Sequence, residues 1–463
     1  MTHEAAEQAA FHIRTVHASA FQKLQAQGEI RSPIRDITIM VENCRKDLKA
    51  EGLVEQADAL LNLTIGDVDP KTIGVDGDAR IAEDLGLNPH GHIRTLMDEM
   101  VLDLRKQAWD GNAEFQTGYQ ADALGAGALR KQFADFLNAY VKATHYTEHD
   151  TILEYGGLAA AHALSETMDV DNKDRMGRLA YGSYTTFLAP VPGFTVIHAQ
   201  ARRAGMRVID LPTISETGFS PTADTLSESL DDVPQKSAAI LYLTPMNNPS
   251  STVYNLDALT ETLRLYTKLQ PHGIILNDLA YLETIDENKA HAVMDIFDNP
   301  SLAQRTVHLV SMSKMFGYTG LRCAALLTKN SEIHRQLQVT SQVNLATISI
   351  ETQLQATALW QHVSRSTRQS LFNHFRKRQD ALIARLNQHI HSQNTDGAVK
   401  LFDASKIHTE VPMYVYTRAA QGIDPMDIFI HTGIAGIPGQ VFKDPDSQMV
   451  RFSVGKEALA RYH

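Results

Sequence analysis

The sequence predicts an α/β fold with a large, mostly parallel sheet covered by helices on both faces. Three observations carry that expectation. From about residue 93 to 345, short apolar runs alternate with helical stretches. The runs read as strands buried on both faces, the pattern that parallel sheets require. No internal repeat, low-complexity tract or flexible linker interrupts the alternation.

Taken along the chain, residues 4–27 are alanine-rich and amphipathic and predict a helix stopped by Gly28. Two readings of that helix stay open, an arm reaching a second subunit or a surface helix on its own subunit. Residues 32–62 hold a second helical stretch and lead into the apolar LLNLTIGDVD. Between Val75 and Gly91 the chain is polar and irregular. His90 and His92 lie at its end, but two histidines in a Gly/Pro loop lack the convergent partners of a metal site, so no metal is expected. The predicted strands are RLAYGSYTTF, MRVIDLP, SAAILYLTP, GIILNDLAY, TVHLVSMS and CAALLT, with helices such as 257–269 between several of them. Residues 350–395 predict a long helical stretch, and a further helix falls near 424–432. The expected division is a large domain over 93–345 and a smaller α+β domain built from both chain ends, 1–92 and 346–463.

Composition removes several function classes. The net charge of −11 argues against a nucleic-acid surface. Cys44 and Cys323 are the only two cysteines, so neither a disulfide scaffold nor a cysteine-rich zinc site is expected. The N-terminus lacks a basic region followed by an apolar run, and no segment is apolar for long enough to span a bilayer. A reduced, cytoplasmic setting is the default expectation.

Open α/β sheets bind ligands beyond the carboxyl ends of their strands, so the residues after each run carry the functional signal. After TVHLV comes Ser311-Met312-Ser313-Lys314, followed by Gly320-Leu321-Arg322. GIILN is followed by Asp278-Leu279-Ala280-Tyr281, and AAILYLT by Pro245-Met246-Asn247-Asn248-Pro249. Tyr155-Gly156-Gly157-Leu158-Ala159 opens a predicted helix. Together these pieces suit pyridoxal 5′-phosphate. Its aldehyde needs an amine nucleophile, which a partly desolvated lysine supplies. Its pyridinium nitrogen stays protonated opposite a buried carboxylate, because a nearby negative charge favours the charged ring. Its phenolate oxygen takes Asn and Tyr donors. Its phosphate suits a helix N-terminus, small hydroxyls and an arginine.

From about residue 60 to 455 the chain resembles the fold-type I, class I/II aminotransferases. That resemblance implies a mostly parallel seven-stranded sheet flanked by helices, the cofactor pyridoxal 5′-phosphate, and a homodimer acting on a small amino acid and keto acid, with no nucleic-acid or membrane partner. It assigns the Schiff base to Lys314 in Ser-x-Ser-Lys, and the phosphate to Ser311, Arg322, Gly157, Leu158 and Ala159. Asp278 and Tyr281, in Asp-x-Ala-Tyr, match the ring-nitrogen partner and an O3′ donor, and Asn248 matches the other O3′ donor. Phe194, in Pro-Gly-Phe, matches the residue stacked on the ring; Tyr119 matches a tyrosine reaching the neighbouring subunit's phosphate. Arg451, in Val-Arg-Phe-Ser-Val-Gly, matches the clamp on the substrate α-carboxylate, and Gly66 a backbone contact to the same group.

The match has departures. The family's Asn-Pro-Thr-Gly is Asn-Pro-Ser-Ser here, Ala324 stands where a glycine is usual, and the spacing from Tyr119 to Gly125 is one residue longer. The expected reaction is ping-pong transamination between an L-amino acid and a 2-keto acid. The same residues also serve lyases, decarboxylases and oxidases. A non-enzymatic regulator on this fold is disfavoured because the stretch before residue 60 offers no room for a DNA-binding module, and a pseudoenzyme because the lysine is intact.

Overall fold

The computed structural model describes residues 12–20, 22–23, 33–68, 92–111, 115, 123–168, 183–231, 233, 237–391, 401–457 and 459–462. Tyr119 and the polar stretch 75–91, with His90, lie outside the described residues. In chain order the strands are β1 Leu61–Asn62, β2 Thr151–Glu154, β3 Ser183–Val191, β4 Arg207–Pro212, β5 Ser237–Leu243, β6 Ile274–Asp278, β7 Thr306–Ser311, β8 Ala324–Thr328, β9 Phe402–His408, β10 Tyr414–Ala419, β11 Ile434–Ala435, β12 Ile437–Pro438 and β13 Met449–Ser453. Contacts group the chain into two units. The larger comprises Pro70–Asn247 and Thr252–Phe372; the smaller comprises Met1–Asp69, Asn248–Ser251 and Asn373–His463.

The larger unit is organised by a seven-stranded sheet in the order β2-β8-β7-β6-β5-β3-β4. From β4 to β7 every neighbouring pair is parallel. Between β7 and β8 the chain makes one short helix and one 3-10 turn, so β8 returns antiparallel to both β7 and β2. The six expected apolar runs supply β3 to β8. β2 was not among them: its four residues, Thr-Ile-Leu-Glu, are all buried but too short to give a pattern.

Helices follow from caps and spacing. In Leu256–Leu269 the Asn255 side chain accepts from Ala258 N at 3.0 Å. Leu259, Leu263 and Tyr266 then fall on one buried stripe. The helix Gly156–Thr167 instead buries small residues, Ala160, Ala161 and Ala163, which lets its backbone approach β7 and β8 closely. The larger unit runs past residue 345 to Phe372, because helices Ser331–Leu345 and Ile350–His362 pack on its own helices and strands. The long helical stretch expected at 350–395 is two helices. Val363 is extended at φ −100° and ψ 94°, and Ser364 Oγ accepts from Thr367 N at 3.2 Å, which starts a new helix at Arg365.

The smaller unit holds a four-stranded antiparallel sheet, β12-β13-β10-β9, and the parallel pair β1-β11. Its apolar core joins the helix Pro33–Ala50, through Ile37, Met40, Val41, Cys44 and Leu48, to Phe429, Ile437 and Phe442. Asn248–Ser251 belongs here by its bonding: Ser251 Oγ donates to the carbonyls of Val411 and Tyr414 at 3.0 and 2.8 Å. The helix expected near 424–432 is Pro425–Thr432, started by a capping box between Asp424 and Asp427. Among the described residues no helix is long and apolar enough to cross a membrane.

Candidate active site

In the larger unit, register brings the loops that follow the strands to one edge of the sheet. Ser311, last in β7, pairs with Ala324, first in β8, and Ala324 pairs with Glu154, last in β2. The segments just beyond these residues, Met312–Met315, Arg322 and Gly156-Gly157, therefore share that edge. β6 is the neighbour of β7, and its last residue is Asp278.

Asp278 is half-buried at the end of β6. Burial raises its carboxyl to about pH 6, against the opposing effect of two hydrogen bonds. Its Oδ1 accepts from Ala280 N at 3.0 Å and its Oδ2 from Tyr242 Oη at 2.9 Å. Tyr242, on β5, is itself buried, and its hydroxyl is held well above the usual phenol range by burial and then by the Asp278 charge. Sequence reading did not single out Tyr242. Its only signal is that a tyrosine hydroxyl in a buried strand needs a partner.

Gly156 and Gly157 open the helix Gly156–Thr167, whose N-cap Tyr155 makes no side-chain cap. An uncapped helix start presents backbone N–H groups and the positive end of the helix dipole. Gly156 has φ +77°, and a Cβ there would lie 2.6 Å from Arg322 Nη2. Across from Gly157, a Cβ would meet Leu309 Cδ2 at 3.3 Å and Ser311 Oγ at 3.9 Å. Arg322 has left-handed backbone, φ 56°, and Nη1 donates to Thr319 O at 3.0 Å. The two glycines thus let a guanidinium and a hydroxyl approach the helix start closely. Leu158 and Ala159 follow in the first turn; Leu158 also packs on the sheet core, as does Phe194 beyond β3.

Lys314 sits in the one-turn helix Met312–Met315, which Ser311 caps by accepting from Ser313 N at 3.3 Å. The lysine is half-buried. Tyr281 is buried at the start of the 3-10 turn Leu282–Thr284, where Thr284 Oγ1 donates to its carbonyl at 2.8 Å. These residues fit pyridoxal 5′-phosphate. A desolvated carboxylate suits a ring N–H⁺, a helix start beside a hydroxyl and a guanidinium suits a phosphate, and an amine and a phenol lie on neighbouring turns.

The smaller unit carries the other expected residues. Arg451, in β13, is 1% exposed. Its guanidinium lies between the rings of Phe442 and Tyr414, at 4.7 and 4.9 Å. Nη1 donates to Asn248 Oδ1 at 2.9 Å and Nη2 to Thr64 O at 2.5 Å. Gly66, two residues after Thr64, is needed as glycine: a Cβ would lie 2.4 Å from Tyr414 Oη. Sequence reading also missed how Thr64 is held. Its hydroxyl donates to Asn62 Oδ1 at 2.6 Å, and Asn62 Nδ2 donates to Glu42 Oε1 at 2.8 Å. Glu42 in turn accepts both Nη1 bonds of Arg45. Tyr119 lies outside the described residues, so its role has no structural account.

Comparisons with known proteins agree with this chemistry. The family described as Aminotransferase class I and II matches residues 110–421. Histidinol-phosphate aminotransferase 1 of Legionella pneumophila (strain Lens) is 26% identical over 165 residues, 36% of this chain and 42% of that protein. A mouse protein named probable inactive 1-aminocyclopropane-1-carboxylate synthase-like protein 2 is 26% identical over 264 residues, 53% of this chain and 43% of that one. The chain thus spans about two fifths of the length of these curated relatives. The solved structure of an aspartate aminotransferase from Thermus thermophilus with maleate has a TM-score of 0.64 at 18% identity, covering 94% of this chain and 95% of that chain. At that identity the likeness bears on the fold alone.

Proposed function

Because this chain belongs to the aminotransferase class I and II family, whose members use pyridoxal 5′-phosphate, we propose that it moves an amino group between an L-amino acid and a 2-keto acid in two half-reactions. The observation that carries this reading is Asp278: a half-buried carboxylate at a strand end, beside the strand that leads into the Lys314 turn. When bound, the cofactor supplies an electron-withdrawing ring that acidifies the Cα–H of an attached amino acid.

The chain's own residues do the rest. The Gly156–Ala159 backbone, Ser311 and Arg322 hold the phosphate, and Phe194 lies against the ring. Asp278 keeps the proton on the ring nitrogen by its charge, and Tyr242 fixes the carboxylate's direction. Tyr281 and Asn248 donate toward O3′. Lys314 Nζ would be the amine that attaches the cofactor, and the group that holds and moves the Cα proton of the substrate. Arg451 binds the substrate α-carboxylate, and Gly66 offers a backbone contact to the same group. Pinning the carboxylate there would favour loss of the Cα proton over loss of the carboxylate. A homodimer in a cytoplasmic setting, with Tyr119 reaching the neighbouring subunit's phosphate, completes the proposal.

Transamination is separated from its rivals by one turnover with an amino donor and no keto acid. One equivalent of pyridoxamine phosphate with one of keto acid supports it. Continuous product without an acceptor, or oxygen uptake, would make the protein a lyase, decarboxylase or oxidase instead.

Arg451→Lys is expected to raise KM for the amino donor far more than it lowers kcat. Lysine keeps the charge but cannot reproduce the planar fork that Asn248 and Thr64 align. Losing one charge-assisted hydrogen bond, about 1.5–3 kcal/mol, predicts roughly a 10- to 100-fold fall in kcat/KM. Steady-state kinetics at saturating cofactor checks this; an unchanged KM would remove Arg451 from the clamp.

A further inference from the structure

A buried ion pair in the larger unit ties together the two turns that carry Lys314 and Tyr281. Glu283 lies two residues after Tyr281, in the same 3-10 turn. It forms a two-pronged pair with Arg368: Nε to Oε2 at 2.6 Å and Nη2 to Oε1 at 2.8 Å. Both side chains are almost completely buried, at 1% and 7% exposure. Arg368 Nη1 donates to Val363 O at 2.7 Å, so all three nitrogens of the guanidinium are engaged. Its central carbon lies over the rings of Phe316 and Trp360, 4.8 and 5.3 Å from their centroids. Phe316 is two residues after Lys314, and its N–H closes the Lys314 helix onto Met312 O. Phe316 and Trp360 also meet edge to face at 4.9 Å.

One guanidinium therefore grips the Tyr281 turn through Glu283 and the Lys314 turn through Phe316. Burying both charges is unfavourable, and apolar side chains of similar size would fill the volume at least as stably. What an apolar pair lacks is direction. A planar fork bonded on one edge and set against two aromatic rings fixes distance and angle between two loops. Arg365 adds a longer ionic contact to Glu283, 3.9 Å, and bonds Glu287 at 2.9 Å.

We infer that Arg368 and Glu283 are positioning residues that set Lys314 Nζ against the Tyr281 hydroxyl; this rests on the roles proposed above for those two groups. Neither Arg368 nor Glu283 touches the reacting atoms in this account. They act by holding the amine and the phenol at one spacing, which governs how readily Nζ gives up and regains its proton.

The test uses the holoenzyme and two variants. Arg368→Lys keeps the charge, makes no cavity and loses the fork. Glu283→Gln with Arg368→Met removes both charges together, so that no lone buried charge unfolds the protein. Three readouts are compared with wild type: thermal midpoint, kcat and KM, and the pH midpoint of the bound cofactor's absorbance change without substrate. In both variants kcat is expected to fall about 10- to 100-fold with KM little changed. The absorbance midpoint should move by about one pH unit, while the double variant's thermal midpoint stays near wild type. A double variant with wild-type kcat and absorbance midpoint overturns the inference and leaves the pair a packing feature. Wild-type protein that shows no cofactor absorbance, or no borohydride label on Lys314, overturns the underlying reading of Lys314 and the inference with it.

Discussion

Lys314→Ala is expected to retain cofactor binding and to lose turnover by about 10⁴-fold, the upper end of what a positioned proton-transfer group contributes. The argument rests on where the contacts lie. In the proposed site the phosphate is held by Gly156, Gly157, Ser311 and Arg322, and the ring nitrogen by Asp278 with Tyr242 behind it. None of these depends on the lysine side chain. The one-turn helix that carries it is held by the Ser311 cap and the Met312 N–H to Cys323 O bond, at 3.1 Å. Truncation to alanine leaves both in place, and alanine is the best helix former. Binding should therefore survive while the amine that attaches the cofactor and carries the proton is gone. Borohydride reduction followed by peptide mapping provides the second measurement. Wild type should carry the label on the peptide containing Lys314, and Lys314→Ala should carry none. A variant with near-normal turnover would remove the central claim about this site.

How much of this was legible beforehand differs between backbone and partners. The apolar runs placed β3 to β8, because a strand buried on both faces writes its burial into consecutive residues. β2 left no such trace: four residues give no period, and only its pairing with β8 makes it a strand. The break at Val363 was also hidden, since Ser364 is unexceptional in a helical stretch until its hydroxyl is seen accepting from Thr367 N. At the candidate site, sequence named residues that follow strands, as the geometry of open sheets allows. It could not name what stands behind them. Tyr242 lies 36 residues before Asp278, Glu283 and Arg368 are 85 apart, and Thr64 and Arg451 are 387 apart. Such pairs are brought together by the fold, and nothing local in the chain marks either member. Tyr242, Thr64 and Arg368 each read in isolation as ordinary core or surface residues.

Asp278→Asn should slow catalysis by roughly 10²- to 10³-fold, the usual effect of removing one charge-stabilising partner from a dry site. It should also stabilise the cofactor-free protein at neutral pH, and the second effect tests the first from an independent direction. In the apoprotein the half-buried carboxyl is partly desolvated, which raises it from its ordinary value to about pH 6. A raised folded-state value means that the folded protein holds a proton the unfolded chain has already released. Stability is therefore greatest below about pH 4, falls as pH rises toward pH 6, and is flat above it. The full loss is on the order of 3 kcal/mol. Asparagine keeps the shape, can accept from Ala280 N, and can donate to a Tyr242 hydroxyl turned to receive it, but it carries no charge to desolvate. Denaturant unfolding of the two apoproteins should give similar stabilities near pH 4 and a more stable variant near pH 8. In the holoenzyme the order should reverse, because the ionised carboxylate then faces a ring N–H⁺ and its burial is compensated, whereas asparagine offers that proton no countercharge. Single-turnover proton abstraction should fall in the same variant, with cofactor affinity changing much less. An Asp278→Asn apoprotein whose stability tracks wild type across this range would mean the carboxylate is not held desolvated. A variant with wild-type turnover would place the ring-nitrogen partner elsewhere.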